Sequence, residues 1–292
     1  MDGYGGQMST PIVVGPASLG LRLGSDVRVG DGWAVRDLLV PDGLDGPPGI
    51  LQGGLAAGVA APIAQVADTL GVPLTSVDAR LHAPTPLAST VQARVRRSEG
   101  VGRYQVQLDQ GDGLLVSAEV ESAGYDPAPL GLDLLELASV PFPEAAPQRE
   151  YPSCFVCGPD PAHPCGLRLH PRHGPAATIV QPWVADEVFA GAAAGVVDPL
   201  IVAAVLDCPT VWAGMEHLRA AGYLGALLAG FRLRFYRDVP LAEPLRIVAR
   251  CDGLDGRKLR ARAAVIDEDR TVYAMASALH IAVTELPSLP AR

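Results

Sequence analysis

The chain has 292 residues, 49% hydrophobic and 19% charged, with a formal net charge of −9. That length suits two ordinary globular domains, the acidic balance argues against a nucleic-acid partner, and no apolar run is long enough to cross a bilayer as a helix. No basic segment leading into an apolar one opens the chain, so no secretory signal is expected; five cysteines, none before residue 154, fit a reducing cytoplasm better than a disulfide framework.

Short β-like segments at residues 26–29 and 33–40 precede an Ala-rich helical segment at 54–70. Alternating or β-branched stretches follow at 77–82, 90–97, 104–109 and 114–121, separated by breakers such as Glu99-Gly100 and Asp112-Gly113. Residues 126–153 carry Pro127, Pro129, Pro141, Pro143, Pro147 and Pro152. They read as a linker crossing the surface, with room for one short helix at 132–138. The second half keeps the order: a strand at 177–183, a helix at 199–213, and strands at 231–236, 245–251, 258–267 and 271–283. Pro62 and Pro209 stand inside the two helices and predict a kink or a break in each. A helix followed by a meander of strands, twice over, is an α+β arrangement. It divides the chain into domains at 1–125 and 154–292 with a linker at 126–153.

Internal matches point to a duplication. Gly20-Leu21-Arg22-Leu23 recurs 146 positions later as Gly166-Leu167-Arg168-Leu169. The same offset sets Gln52-Gly53-Gly54 on Asp198-Pro199-Leu200. Pro86-Leu87-Ala88 matches Pro240-Leu241-Ala242 at an offset of 154. The second half therefore gains eight residues between its helix and its next strand, within 214–230.

These stretches, together with Cys154-Phe155-Val156-Cys157-Gly158 and Ala203-Ala204-Val205-Leu206-Asp207-Cys208-Pro209, resemble the tandem hotdog thioesterases of the acyl-CoA thioesterase II type and their actinobacterial relatives. The resemblance implies a double hotdog, each half a long central helix wrapped by an antiparallel sheet. It also implies hydrolysis of acyl thioesters, carried by coenzyme A or by an acyl-carrier protein. The same fold hosts non-hydrolytic acyl-CoA or acyl-carrier binding proteins, and dehydratases or cyclases of polyketide or fatty-acid metabolism. No cofactor is implied beyond the coenzyme A of the substrate. The tandem is expected to be self-sufficient or to pair as a homodimer.

Many of these enzymes open the helix with His-Gly-Gly and carry an acid seven positions after the second glycine. Here Gln52-Gly53-Gly54 is followed at that distance by Ala61, whereas Asp198-Pro199-Leu200 is followed by Asp207. Each half keeps what the other lacks, which implies one working pocket at the interface of the halves. Seven residues span nearly two turns, about 10 Å, so the acid shares a face with the helix start. The Gly54 backbone N–H is then expected to polarise a thioester carbonyl with help from the helix dipole. Asp207 is expected to activate water or to attack directly; Pro199 has no N–H to offer. A cap ahead of Pro209 is the plainer reading of Asp207.

Gln52 and Gly53 are expected at the substrate. The Thr and Gln that the family places beside its acid have no counterpart on the strands, where Leu228 and Ala278 stand instead. Tyr236, Ser277 and His280 are the nearest polar substitutes for binding substrate. Cys154 and Cys157 form a C-x-x-C pair with His163, Cys165 and His170 close behind. That set could build a tetrahedral zinc site or simply occupy a strand end and a turn; the resemblance implies no metal.

Overall fold

The computed structural model describes residues 10–68, 71–129, 133–146 and 149–288. The last two residues of the expected helix at 54–70, and the first of the expected short helix at 132–138, lie outside them. In chain order the first half contains β1 (Ile12–Val13), β2 (Arg22–Leu23), β3 (Arg28–Gly30), β4 (Trp33–Val40), α1 (Gly53–Gly58), α2 (Ala60–Ala67), β5 (Leu74–Leu81), β6 (Ser89–Arg97), β7 (Arg103–Gln110) and β8 (Gly113–Ser122). The second contains β9 (His173–Gly174), β10 (Thr178–Trp183), α3 (Pro199–Ala213), α4 (Met215–Ala220), β11 (Gly225–Phe235), β12 (Leu245–Asp255), β13 (Lys258–Ile266) and β14 (Val272–Val283). None of the described helices is long and apolar enough to cross a membrane.

Among the described residues the strands form one antiparallel sheet, ordered β1-β2-β4-β6-β7-β8-β5-β11-β14-β13-β12-β10-β9, with β3 also on β4. The halves join edge to edge where β5 meets β11, with Val77 opposite Leu233 and Arg80 opposite Gly230. Period-two patterning sets the inner face. On β14, Ala274, Ala276, Ala278, His280 and Ala282 are buried while Ser277 is exposed. A bulge in β11 between Leu228 and Gly230 bends the strand where the cavity described below opens.

The sequence offsets link equivalent backbone contacts. Ile50 bridges Pro86 as Val196 bridges Pro240. The Leu87 N–H donates to Gly49 O as the Leu241 N–H donates to Gly195 O. Ala88 and Ala242 both take positive φ, 48° and 56°. The eight additional residues of the second half fall where α4 and its turn lead into β11.

The two prolines act differently. Pro62 offers no N–H to the carbonyl of Gly58, and the expected helix breaks there into α1 and α2. α3 runs unbroken through Pro209, because every residue from Leu200 to Ala213 is buried and packing on all sides holds the helix in place. One side of α3 lies on β12, β13 and β14, and another lies on α1. Gly54 and Gly58, one turn apart, permit that second contact. A Cβ at Gly54 would overlap Ala203 O, and one at Gly58 would stand 2.6 Å from the Ala203 Cβ.

Residues 126–153 do more than cross the surface. A 3-10 helix at Asp133–Ser139 lays Leu134, Leu137 and Ala138 on Val248, Ala264 and Ile266. These strands bury side chains on both faces, so their outer face needs a cover. Asp133 fastens it through Arg262, with contacts of 2.8 and 3.1 Å. Beyond it, Tyr151, Cys154, Phe155, Val156 and Cys157 are all buried; Tyr151 meets the Trp212 ring edge-on at 6.0 Å.

Gly54→Ala tests the close approach of α1 and α3. On an open helix that change would gain about 0.5–1 kcal/mol. Here we expect a loss of at least about 2 kcal/mol from overpacking against backbone, read as a lower urea midpoint with an unchanged slope.

Candidate functional site

A cavity of about 240 Å³ lies between the start of α1, the middle of α3, the segment after β5 and the β11 bulge. Most of its wall is apolar, from Ile50, Leu81, Val211, Trp212, Leu227 and Leu228. Polar side chains come from the two helices, as Gln52, Asp207 and Cys208, and from the segments around them, as His82, Thr85, Tyr151 and His280.

Gln52 is the N-cap of α1. Its Oε1 accepts the Leu55 N–H at 2.8 Å, satisfying a donor that the helix leaves free. A backbone N–H can only donate, so this bond fixes which end of the amide is oxygen. The Nε2 must then point the other way. It donates to Asp207 Oδ2 at 2.7 Å, and more weakly approaches Ala204 O at 3.4 Å and Cys208 Sγ at 3.6 Å.

Asp207 stands in mid-α3, so it does not cap a helix ahead of Pro209. Its Oδ2 also accepts the Gly54 N–H at 2.8 Å. That is a correction to the expected role of Gly54: its N–H serves the carboxylate in this structure, not a substrate carbonyl, and its missing Cβ serves helix packing. Oδ1 carries no hydrogen bond among the described residues. Burial pushes the Asp207 carboxyl up to about 7, against the Gly54 N–H, which favours the charged form. Gly53 beside it must lack a side chain too, since a Cβ would lie 2.8 Å from Asp207 Oδ2 and 2.9 Å from the Leu228 Cβ.

One turn along α3, the Thr210 hydroxyl donates to Asp207 O at 2.5 Å. Its proton being used, Thr210 Oγ1 accepts at 2.7 Å from His280 Nε2. The imidazole therefore carries its proton on Nε2, and Nδ1 is a buried acceptor without a partner among the described residues. Burial drives His280 down to about 3, so the ring is neutral at ordinary pH.

Of the expected substrate contacts, Gln52, Gly53 and His280 line the cavity with Asp207. Ser277 and Tyr236 do not. Ser277 is one residue out of phase with the inward positions of β14 and is exposed. Tyr236 follows the last inward residue of β11 and packs on the outer cluster beneath the 3-10 helix. The period of β14 was legible and would have excluded Ser277. Thr210, three residues after Asp207 and so on its face of the helix, was equally legible.

Cys154, Cys157 and Cys208 also line the cavity. The set weighed from sequence, Cys154 and Cys157 with Cys165, His163 and His170, is not what the fold assembles. Among the described residues the group that converges is Cys154, Cys157 and Cys208. The Cys154 and Cys208 sulfurs stand 3.7 Å apart, where either can donate, and the neighbouring thiols hold Cys154 well below the usual thiol range. Its own neighbouring thiols and burial push Cys208 up.

No protein-family model matches the chain, and no curated protein is significantly similar to it. Solved structures are. The tesB protein of Mycobacterium avium subsp. paratuberculosis aligns at 16% identity over 91% of this chain and 96% of its own, with a TM-score of 0.60. The pyran synthase domain from module nine of the sorangicin pathway aligns at 14% identity over 90% and 98%, with a TM-score of 0.62. A conserved protein with a hot dog fold from Alicyclobacillus acidocaldarius aligns at 12% identity over 90% and 96%, at 0.51. At these identities the likeness establishes a hotdog-type fold and nothing finer.

His280 gives a signed test. Its folded value lies below the ordinary 6.5, so the unfolded chain takes up a proton that the folded chain refuses. The associated stability is complete above pH 6.5 and is lost progressively as pH falls toward 3. From pH 7 to pH 5 the native chain should lose about 2 kcal/mol more than His280→Gln does, measured by urea unfolding of both at each pH.

Proposed function

We propose that the chain is a double hotdog, with domains at 1–125 and 154–292, that hydrolyses acyl thioesters in one pocket between its halves. The observation that carries this reading is the Asp207 carboxylate. One of its oxygens is pinned by Gln52 and Gly54 across the helix contact, while the other has no hydrogen bond among the described residues, and the residue lines a mostly apolar cavity. A carboxylate so oriented can hold a water and accept its proton as the water adds to a thioester carbonyl. The tetrahedral adduct then collapses, the carrier leaves as thiolate, and the proton passes to the departing sulfur. Gln52 Nε2 is the donor best placed for the carbonyl oxygen, because its second proton reaches only distant acceptors. His280 Nδ1 offers an acceptor to a ligand N–H or O–H.

A cavity of about 240 Å³ falls below the usual range of small-molecule pockets. It suits a short acyl group, with coenzyme A or an acyl-carrier arm outside. The tesB likeness favours hydrolysis; the pyran synthase likeness, at a comparable TM-score, favours the cyclase or dehydratase alternative. That second chemistry would pair Asp207 with His82, which also lines the cavity.

Acyl-CoAs from acetyl to palmitoyl, with 3-hydroxyacyl thioesters beside them, separate these readings. Free thiol released from a short saturated acyl-CoA supports hydrolysis. Loss of water from a hydroxyacyl thioester without thiol release supports the second reading, and binding without either reaction leaves an acyl-binding protein. For hydrolysis, Asp207→Asn should cut turnover by about 100-fold or more with little change in acyl-CoA affinity. Asp198→Asn should be nearly silent, since Asp198 Oδ1 caps the Leu200 N–H and an amide oxygen does the same. Equal turnover in Asp207→Asn and the native chain would remove Asp207 from the chemistry.

A further inference from the structure

Hydrolysis as proposed leaves three cavity-lining thiols without a task. Cys154 and Cys157 come from the turn that enters the second half, and Cys208 comes from the middle of α3. Their sulfurs lie within 4.8 Å of one another, and all three residues are buried. The Cys154 and Cys208 sulfurs are 3.7 Å apart. Two sulfurs bound at about 2.3 Å to one tetrahedral zinc stand about 3.8 Å apart, so this edge already has the length that a shared ion requires.

Two of the sulfurs also meet an N–H donor. Trp212 Nε1 donates to Cys157 Sγ at 3.3 Å, and Gln52 Nε2 lies 3.6 Å from Cys208 Sγ. Such donors stabilise thiolates and orient them, as the outer partners of a metal site do. The turn that holds the first pair is tightly built: the Gly158 N–H donates to Cys154 O at 2.9 Å, and a Cβ on Gly158 would stand 2.6 Å from Cys154 N. Thiols merely filling a core would need neither the donors nor this turn.

We propose that Cys154, Cys157 and Cys208 form a three-thiolate zinc site whose fourth position opens into the cavity and takes water or a thiol. Binding releases the protons that the thiols carry. The sequence-based expectation of a metal-free C-x-x-C followed from the resemblance and weighed Cys165, His163 and His170 as further ligands; the fold brings Cys208 to the pair instead. Asp207 is not one of its ligands, so loss of hydrolysis and loss of metal are separable, although Gln52 touches both sites.

The test uses the full chain without a histidine tag, purified under reductant. Elemental analysis should find about one zinc per chain, resistant to mild chelation. After stripping, added cobalt(II) should give the intense sulfur-to-metal charge-transfer band and visible bands of a tetrahedral thiolate site. Cys208→Ser should weaken zinc binding by more than the roughly 10–100-fold that loss of an outer partner costs, while Cys165→Ser with Cys251→Ser, and Asp207→Asn, should retain the metal. Where Cys208→Ser does not fold, the cobalt spectrum of the native chain decides alone, with zinc protection of Cys154, Cys157 and Cys208 against alkylation as its companion. A native chain that holds under a tenth of an equivalent of zinc and gives no thiolate band with cobalt overturns the proposal. So does a folded Cys208→Ser that binds zinc as the native chain does.

Discussion

Where α1 crosses α3, two backbones approach without side chains between them, and the polar chemistry of the molecule hangs on that approach. Gly54 and Gly58 present bare backbone to Ala203 and Ala204. Only then can Asp207, on one helix, accept the Gly54 N–H at the start of the other. A separation greater by a single methyl group would leave a buried carboxylate and a buried amide without each other, and each unpaired group costs more than the bond itself contributes. The crossing and the β5–β11 pairing thus bind the halves in different ways: the sheet by repeated ladder bonds, the helices by one desolvated contact.

The same exclusion of water raises the Asp207 carboxyl and keeps the His280 imidazole neutral. Gln52 ties helix, acid and thiol together, since a single side chain caps α1, holds Asp207 and approaches Cys208. The proposed base and the proposed metal site are therefore neighbours that share an orienting residue.

The halves are not equivalent at the crossing. The first half contributes backbone N–H and a capping amide; the second contributes the acid. At the reciprocal place Ala61 is buried in the core and Pro199 begins α3 with no N–H. Leu200, which stands where Gly54 does, gives its N–H to Asp198 Oδ1, so an acid at position 61 would meet a donor already held by a carboxylate, a physical reason for one pocket rather than two.

Much of this was legible before the fold was known. The order of elements and the duplicated segments follow from short-range pattern, because period and turn chemistry are local properties; that Gln52-Gly53-Gly54 and Asp207 belong together was implied by the family resemblance. The inward register of β14 was legible too, had its alternation been applied to Ser277. What sequence alone could not supply was convergence. The break of the first helix before Pro62, set against the continuity of α3 through Pro209, depended on how completely each helix is enclosed. The burial of Tyr151 and of residues 154–157 depended on an opening beside α3, and the use of Gly54's N–H depended on the distance between two helices. Cys208 joins Cys154 and Cys157 for the same reason. The sequence determined which residues could carry chemistry; only the tertiary structure decided which of them meet, because meeting is fixed by packing between segments far apart in the chain.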